Sequence, residues 1–282
     1  MKRKDYENDV ILKTGFGKAM GTDKMLNFLY GLLMGFIADG EIQEEEKETL
    51  KRWRIAHSNE LEIEYLRPLQ QIIDDALLDN RLTLKETFDI ATRVQQHMLD
   101  KTNFRKDTVA TQLLLGICQG VFADNMIVED ELKALLQWLD TLGGDETDYT
   151  FDKVKTAIEK ASLNFDSEAE KELRATLLDL VSFPKSEQGV EVDFDKKNFV
   201  LSGSFAFGKK KDVAFQIEEK GGIVVGTVST KTNYLVVGGE KSVLWKYDNY
   251  GVKVARAREL KEEGVAISII GEGELLSALN IH

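Results

Sequence analysis

The chain has 282 residues, 43% hydrophobic and 30% charged, which is enough for two ordinary domains with separate cores. No run of about 18 apolar residues occurs, so no membrane-spanning helix is expected, and no apolar stretch follows the charged start MKRKDYENDV to make a signal peptide. The net charge of −12 is uneven: Asp195 to His282 holds 13 Lys+Arg against 11 Asp+Glu (+2), leaving 24 against 38 (−14) elsewhere.

The acidic remainder is a poor surface for direct contact with nucleic acid, whose phosphates need cations. A single cysteine, Cys118, cannot form an internal disulfide, and a cytoplasmic address is expected.

Residues 1–183 predict helix nearly throughout. Apolar residues recur at i, i+3 and i+4, as in Leu26, Leu29, Tyr30, Leu33 and Met34, and the only prolines in the chain are Pro68 and Pro184. This region contains a repeat. GLLMGFIADGEIQEEEKETLKRW (31–53) aligns without gaps to GICQGVFADNMIVEDELKALLQW (116–138), pairing Gly31, Gly35, Ala38, Asp39, Ile42, Glu46, Leu50 and Trp53 with Gly116, Gly120, Ala123, Asp124, Ile127, Glu131, Leu135 and Trp138. A weaker copy, LLDNRLTLKE, supplies Asp79, Leu82 and Glu86. Each copy predicts helix, short turn, helix. The Asp can cap the second helix or close the turn, and the Glu falls in its first turns, where negative charge is favourable.

The D-G-x-I-x-x-x-E pattern also matches the second half of a calcium loop. With Asp39 at loop position 5, positions 1 and 3 are Gly35 and Ile37; with Asp124 they are Gly120 and Phe122. Calcium needs six to eight oxygens, so structural hairpins are expected and no metal site. The hairpins over roughly residues 25–140 resemble the TerB-like family of tellurite-resistance-associated helical domains. Some members of that family are proposed to bind metal through acidic residues. Here Asn125 stands where the first copy has glycine and the acids are dispersed in sequence, so that property is not carried over. FDKVKTAIEKASLNFDSEAEKELRATLLDLVS predicts two more helices, the second capped by Asp166 or Ser167. The segment 184–196, with Pro184, Gly189 and mixed charges, is expected to be a linker.

From Phe199 the rhythm changes. FVLSG, IVVG, NYLVVGG and AISII predict strands; KKKDVAFQIEEKGG, VKVARARELKEEG and EGELLSALNI predict helices. The order β-α-β-β-α-β-α implies a four-stranded parallel sheet with helices on its faces, giving a multidomain chain: all-α at 1–183, α/β at 197–282. Residues 197–282 resemble a BRCT domain of the type in bacterial NAD-dependent DNA ligases and the large subunit of replication factor C. The resemblance rests on the hydrophobic-Ser-Gly after the first strand, Gly221-Gly222 before the second, and VSTKTNYLVVG into the third. The glycine-rich stretch 221–239 is therefore structural. It opens no helix with G-x-G-x-x-G, and no cofactor is expected.

The resemblance implies a phosphate pocket. Family members that bind phosphate use the hydroxyl of the Ser-Gly pair, its glycine amide and a lysine near the start of the second helix; Ser202, Gly203 and Lys253 hold those positions. Ligase-type domains add a basic residue at the start of the first helix, where Lys210 falls, flanked by Lys209 and Lys211. Donors and a point charge near a helix N-terminus suit a phosphate. The tryptophan common in the last helix of the family is replaced by Leu275, Leu276 and Leu279.

The loop EKSVLWKYDNY (240–250) sets Trp245, Tyr247 and Tyr250 beside Lys241 and Lys246. Such a loop can stack on an unpaired base or peptide side chain, or fold its aromatics onto its own domain. The expected partners are DNA with a 5′-phosphate, or alternatively a phosphorylated protein or a plain protein-docking partner, plus a second protein for the acidic helices. Catalysis is not expected: no K-x-D-G motif of a ligase occurs, and His57, His97 and His282 are scattered.

Overall fold

The computed structural model describes residues 15–78, 81–98, 103–187, 189–239, 245–247 and 249–281. Asp79, Lys241 and His282 lie outside them. The chain divides into two compact units: one takes in Ala19–Val181, the other contains Ser182–His282.

The first unit is helical: α1 (Gly15–Phe36), α2 (Glu44–Ala56), the short α3 (Ser58–Leu61), α4 (Arg67–Ala76), α5 (Leu84–Met98), α6 (Lys106–Val121), α7 (Glu129–Leu142), α8 (Tyr149–Leu163) and α9 (Ser167–Val181). Each repeat is a helix hairpin. The aspartates close the turns, Asp39 Oδ1 accepting from the Glu41 amide and Asp124 Oδ1 from the Met126 amide, both at 2.9 Å. Gly40 and Asn125, equivalent in the two copies, both take left-handed φ (82° and 64°), which glycine and asparagine tolerate best. The second helices are capped by the glutamates and not by the aspartates. Glu46 accepts from the Gln43 amide (2.6 Å), Glu131 from Val128 (2.8 Å) and Glu86 from Thr83 (2.9 Å). Asp166 caps α9, accepting from the Glu168 and Ala169 amides.

The two strong repeats meet face to face along α1 and α6. A Cβ on Gly35 would lie 2.4 Å from the Ile117 carbonyl oxygen and 2.7 Å from the Gly120 Cα; one on Gly120 would lie 2.3 Å from the Leu32 carbonyl oxygen. The helices touch backbone to backbone, and only glycine permits it. The acids that are dispersed in sequence are thereby gathered. Burial pushes the Glu46 carboxyl up to about 8, opposed by the bond from Gln43, with Asp39, Glu131 and Asp124 adding to the rise. Burial likewise pushes Glu131 up to about 7, with Asp124 and Asp39 adding. Among the described residues no three His, Cys, Asp or Glu side chains come together as a metal set.

The second unit is built on a four-stranded parallel sheet: β1 (Asn198–Ser202), β2 (Ile223–Val225), β3 (Tyr234–Val237) and β4 (Ser268–Gly271), in the order β2-β1-β3-β4. Helices α10 (Lys210–Glu219), α11 (Val252–Glu262) and α12 (Glu272–Leu279) cover it. Phe199, Leu201, Tyr234, Val236 and Ile270 pack with Val213 and Ile217 of α10 and Leu275 and Leu279 of α12 in one apolar core, while α11 packs against β3. Leu275 and Leu279, where the resemblance led one to expect a tryptophan, lie in this core.

The segment expected to be a linker, 184–196, is instead part of this unit. Ser186 Oγ accepts from the Gly271 amide (2.9 Å); the Glu187 amide donates to the Ile269 carbonyl (3.0 Å), and Glu187 Oε1 accepts back from the Ile269 amide (2.9 Å). Lys261 ion-pairs with Glu187 at 2.5 Å. Further on, Asp193 donates its amide to the Tyr234 hydroxyl (3.0 Å), Phe194 stacks on Phe199 with ring centroids 5.4 Å apart, and Val190 and Val192 pack on the core. The strap satisfies groups of β4 that an edge strand leaves open. No helix of the described residues is long and apolar enough to cross a membrane.

Candidate functional site

Strand order decides where a ligand can bind. From β1 the chain crosses by α10 to β2 on one side, while β3 lies on the other side of β1, so the crossover direction reverses between β1 and β3. In open α/β sheets the carboxyl ends of the strands at such a reversal leave a crevice that takes ligands. Ser202 stands there. It is the last residue of β1, pairs with Val237, and is 3% exposed. Gly203 follows with φ +83°, a left-handed turn that releases the chain from the sheet.

Lys253 is the second residue of α11, and its Nζ donates to the Leu201 carbonyl at 3.0 Å, beside Ser202. The ammonium of α11 is therefore held at the end of β1 that Ser202 closes. Lys210 is the first residue of α10 and is half-buried; Lys209 and Lys211 are exposed. Three lysines at a helix N-terminus oppose the helix dipole, and Asp212 offsets this, its carboxylate accepting from the Lys209 amide at 3.2 Å while its own amide returns to the Lys209 carbonyl at 2.8 Å. The arrangement offers a hydroxyl, a left-handed turn, one directed ammonium and a helix N-terminus, the groups that hold an anion.

Residues 190–262 match the BRCA1 C Terminus (BRCT) domain family. The C-terminal unit carries a BRCT domain. Its sequence is similar to DNA ligases: one of Ruminiclostridium cellulolyticum, 38% identical over 104 residues, covering 36% of this chain and 13% of the ligase; one of Thermoanaerobacter sp. (strain X514), 36% identical over 70 residues, covering 24% and 11%; and one of Protochlamydia amoebophila, 37% identical over 84 residues, covering 30% and 10%. The chain thus spans about a tenth of the length of these curated relatives.

The aromatic loop takes the second of its two expected forms. Trp245, Tyr247 and Tyr250 are buried in the BRCT unit, at most 5% exposed, and present no face for a base or peptide. Trp245 packs against Phe183 with ring centroids 5.7 Å apart, and against Gly251, where an added Cβ would come within 2.7 Å of its ring. Tyr247 meets Tyr250 edge to face at 5.1 Å, and the Arg258 guanidinium lies 4.8 Å from the Tyr250 ring centre. Lys246 lies over Tyr247 at 5.5 Å and is half-buried. Three aromatics within eleven residues, packed inside the domain, form a small core of their own.

Sequence reasoning missed Glu272. The first residue of α12 is 6% exposed, and its carboxylate accepts from three backbone amides: Ala206 (3.0 Å) and Gly239 (2.8 Å) on Oε2, Phe207 (2.7 Å) on Oε1. The only signal in the sequence was an acid in a helix's first turn, which is commonplace. Elsewhere, Cys118 is buried, and burial pushes its thiol up to about 12, so it stays protonated at neutral pH. His57 stacks on Trp53 at 4.6 Å with Nδ1 2.9 Å from the Trp53 carbonyl, a packed position in the helical unit.

Proposed function

We propose that the protein is a non-catalytic adaptor whose BRCT domain docks a phosphate-bearing partner, a 5′-phosphorylated DNA end or nick, in DNA replication or repair. The observation that carries this reading is the bond from Lys253 Nζ to the Leu201 carbonyl, one residue before Ser202, at the reversal point of the sheet. The similarity to DNA ligases, confined to this unit, supports DNA as the source of the phosphate. The local balance of +2 from Asp195 to His282 permits approach to DNA, whereas the −14 remainder suits a protein partner for the TerB-like helical unit. Such a protein would work in the cytoplasm beside the DNA.

One observation favours a second reading. With Trp245, Tyr247 and Tyr250 buried, base stacking plays no part, and a phosphopeptide or protein-docking surface needs none. Titration of the full chain with 5′-phosphorylated and 5′-hydroxyl duplex ends at two salt concentrations separates the two. The DNA reading expects tighter binding of the phosphorylated end at both salts. Equal affinity for both ends sinks it in favour of the protein-docking reading.

A further inference from the structure

The carboxylate of Glu272 joins two loops. Ala206 and Phe207 belong to the connection that leaves Ser202-Gly203 and leads into Lys209–Lys211. Gly239 belongs to the connection that leaves β3. These loops bracket the reversal between β1 and β3, and they already touch: the Gly238 amide donates to the Ser202 carbonyl at 2.8 Å, and a Cβ on Gly238 would lie 2.1 Å from the Ser204 carbonyl oxygen. A Cβ on Gly239 would come within 3.2 Å of Glu272 Oε2. Two adjacent glycines bring the second loop in, and one buried carboxylate fastens it to the first. That carboxylate stands at the start of α12, where the helix dipole also favours its charge.

An anion site made of loop backbone works only if its donors are held in place before the anion arrives, since otherwise ordering the loop is subtracted from the affinity. The strands fix Ser202 and α11 fixes Lys253. Apart from a single bridge residue, Ser204, the span from Gly203 to Gly208 has no helix or strand, and among its described bonds the Glu272 pair at Ala206 and Phe207 reaches furthest across the fold. We infer that Glu272 is a positioning residue, which presets the Gly203–Lys210 loop as the phosphate cradle of the BRCT domain without touching the phosphate. This rests on the phosphate-docking reading above.

The test is Glu272→Gln in the full chain. Glutamine keeps the volume and one acceptor oxygen but turns an NH2 toward a backbone N–H. Three readings are taken: the melting temperature, hydrogen exchange at the Ala206, Phe207 and Gly239 amides by NMR, and affinities for a duplex with a 5′-phosphate and the same duplex with a 5′-hydroxyl. The expected result is a retained fold, faster exchange at those amides, and a phosphate-to-hydroxyl affinity ratio lowered about tenfold, the size of one charge-assisted bond, with hydroxyl-end affinity unchanged. Glu272→Asp, which keeps the charge and shortens the reach, should fall between; it also replaces the glutamine variant if that one does not fold. Unchanged exchange overturns the clamp. Faster exchange with an unchanged ratio shows a clamp that serves stability alone and overturns the positioning role. A parent chain with no preference for the phosphate removes the docking reading and this inference with it, and the exchange data then report only how the loops are held.

Discussion

Asn27 Nδ2 donates to Gln112 Oε1 at 2.8 Å inside the helical unit, and the two residues occupy the same place in the two repeats, 85 positions apart. Gly35 and Gly120, also equivalent, touch each other further along the same helices. The repeats are therefore related by an approximate two-fold axis between α1 and α6. Gly35→Ala forces a Cβ into the backbone of α6 and is expected to destabilise the helical unit by about 1–3 kcal/mol, the usual cost of overpacking. Gly120→Ala should cost a similar amount, and the double variant less than the sum, because both open the same contact. Urea denaturation followed by helical circular dichroism reads this; additive effects would contradict a shared contact.

The buried glutamates make the helical unit sensitive to pH. The Glu46 carboxyl stands at about 8 in the folded protein against an ordinary 4.5, and Glu131 at about 7. As pH rises from the ordinary value toward these, the unfolded chain loses a proton that the folded chain keeps. Stability contributed by the protonated forms is full below the ordinary value and is lost through the window up to about 7–8. Glu46→Gln, which retains the acceptor for the Gln43 amide, should melt like the parent at pH 4 and increasingly above it toward pH 8. A melting difference that does not vary with pH would count against a raised carboxyl.

At the sheet end, Ser202→Ala and Lys253→Ala should each weaken binding to a phosphorylated end by about 1.5–3 kcal/mol, the range for bonds to a charged group. Their combination should lose less than the sum, since both hold one phosphate. Lys209→Ala and Lys211→Ala should instead lower affinity for phosphorylated and hydroxyl ends alike and flatten the salt dependence. Additivity at Ser202 and Lys253 would place them in separate contacts.

Trp245→Ala empties the space between Phe183 and Gly251. A loss of about 3–5 kcal/mol in the stability of the BRCT unit is expected, as for other buried aromatics, with DNA affinity of the folded fraction unchanged. Lower affinity at unchanged stability would return Trp245 to the binding surface.

The strap fixes where the chain can be cut. Trypsin should separate the two units at Lys185 before it cuts at Lys196 or Lys197. The Lys196 amide is bonded to the Gly221 carbonyl, and Lys197 accepts from Ile223 beside the strand ladder, so cleavage there requires opening the sheet edge. A first cut at Lys196 or Lys197 would restore 184–196 as a linker.

The succession of strands and helices in the second unit and the hairpins of the first were legible because each depends on local signals: short β-branched runs, glycine helix ends, and an aspartate and glutamate seven residues apart in each copy. The order of the strands across the sheet is non-local and was not. The strap was partly legible. Val190, Val192 and Phe194 alternate with Glu191 and Asp193, as a half-buried extended segment does, but Pro184, Gly189 and the charges outweighed that pattern. The fate of Trp245, Tyr247 and Tyr250 was not legible, since lysines beside aromatics look the same whether the rings face out or in. Glu272 was not legible either: its partners are backbone amides 33 to 66 residues away, which carry no side-chain identity for a sequence to display.

The two-fold contact between α1 and α6 is isologous, Gly31 meeting Leu113 as Gly116 meets Phe28, which is how two copies of one chain pair in a symmetric dimer. A single hairpin of this kind carries a surface complementary to itself. Tethering two of them in one chain replaces dependence on protein concentration with a fixed local concentration. It also frees each copy from having to match the other: Asn27 faces Gln112, and Gly40 of one copy is replaced by Asn125 in the other, so the halves have already specialised into an internal heterodimer that no longer needs identical partners.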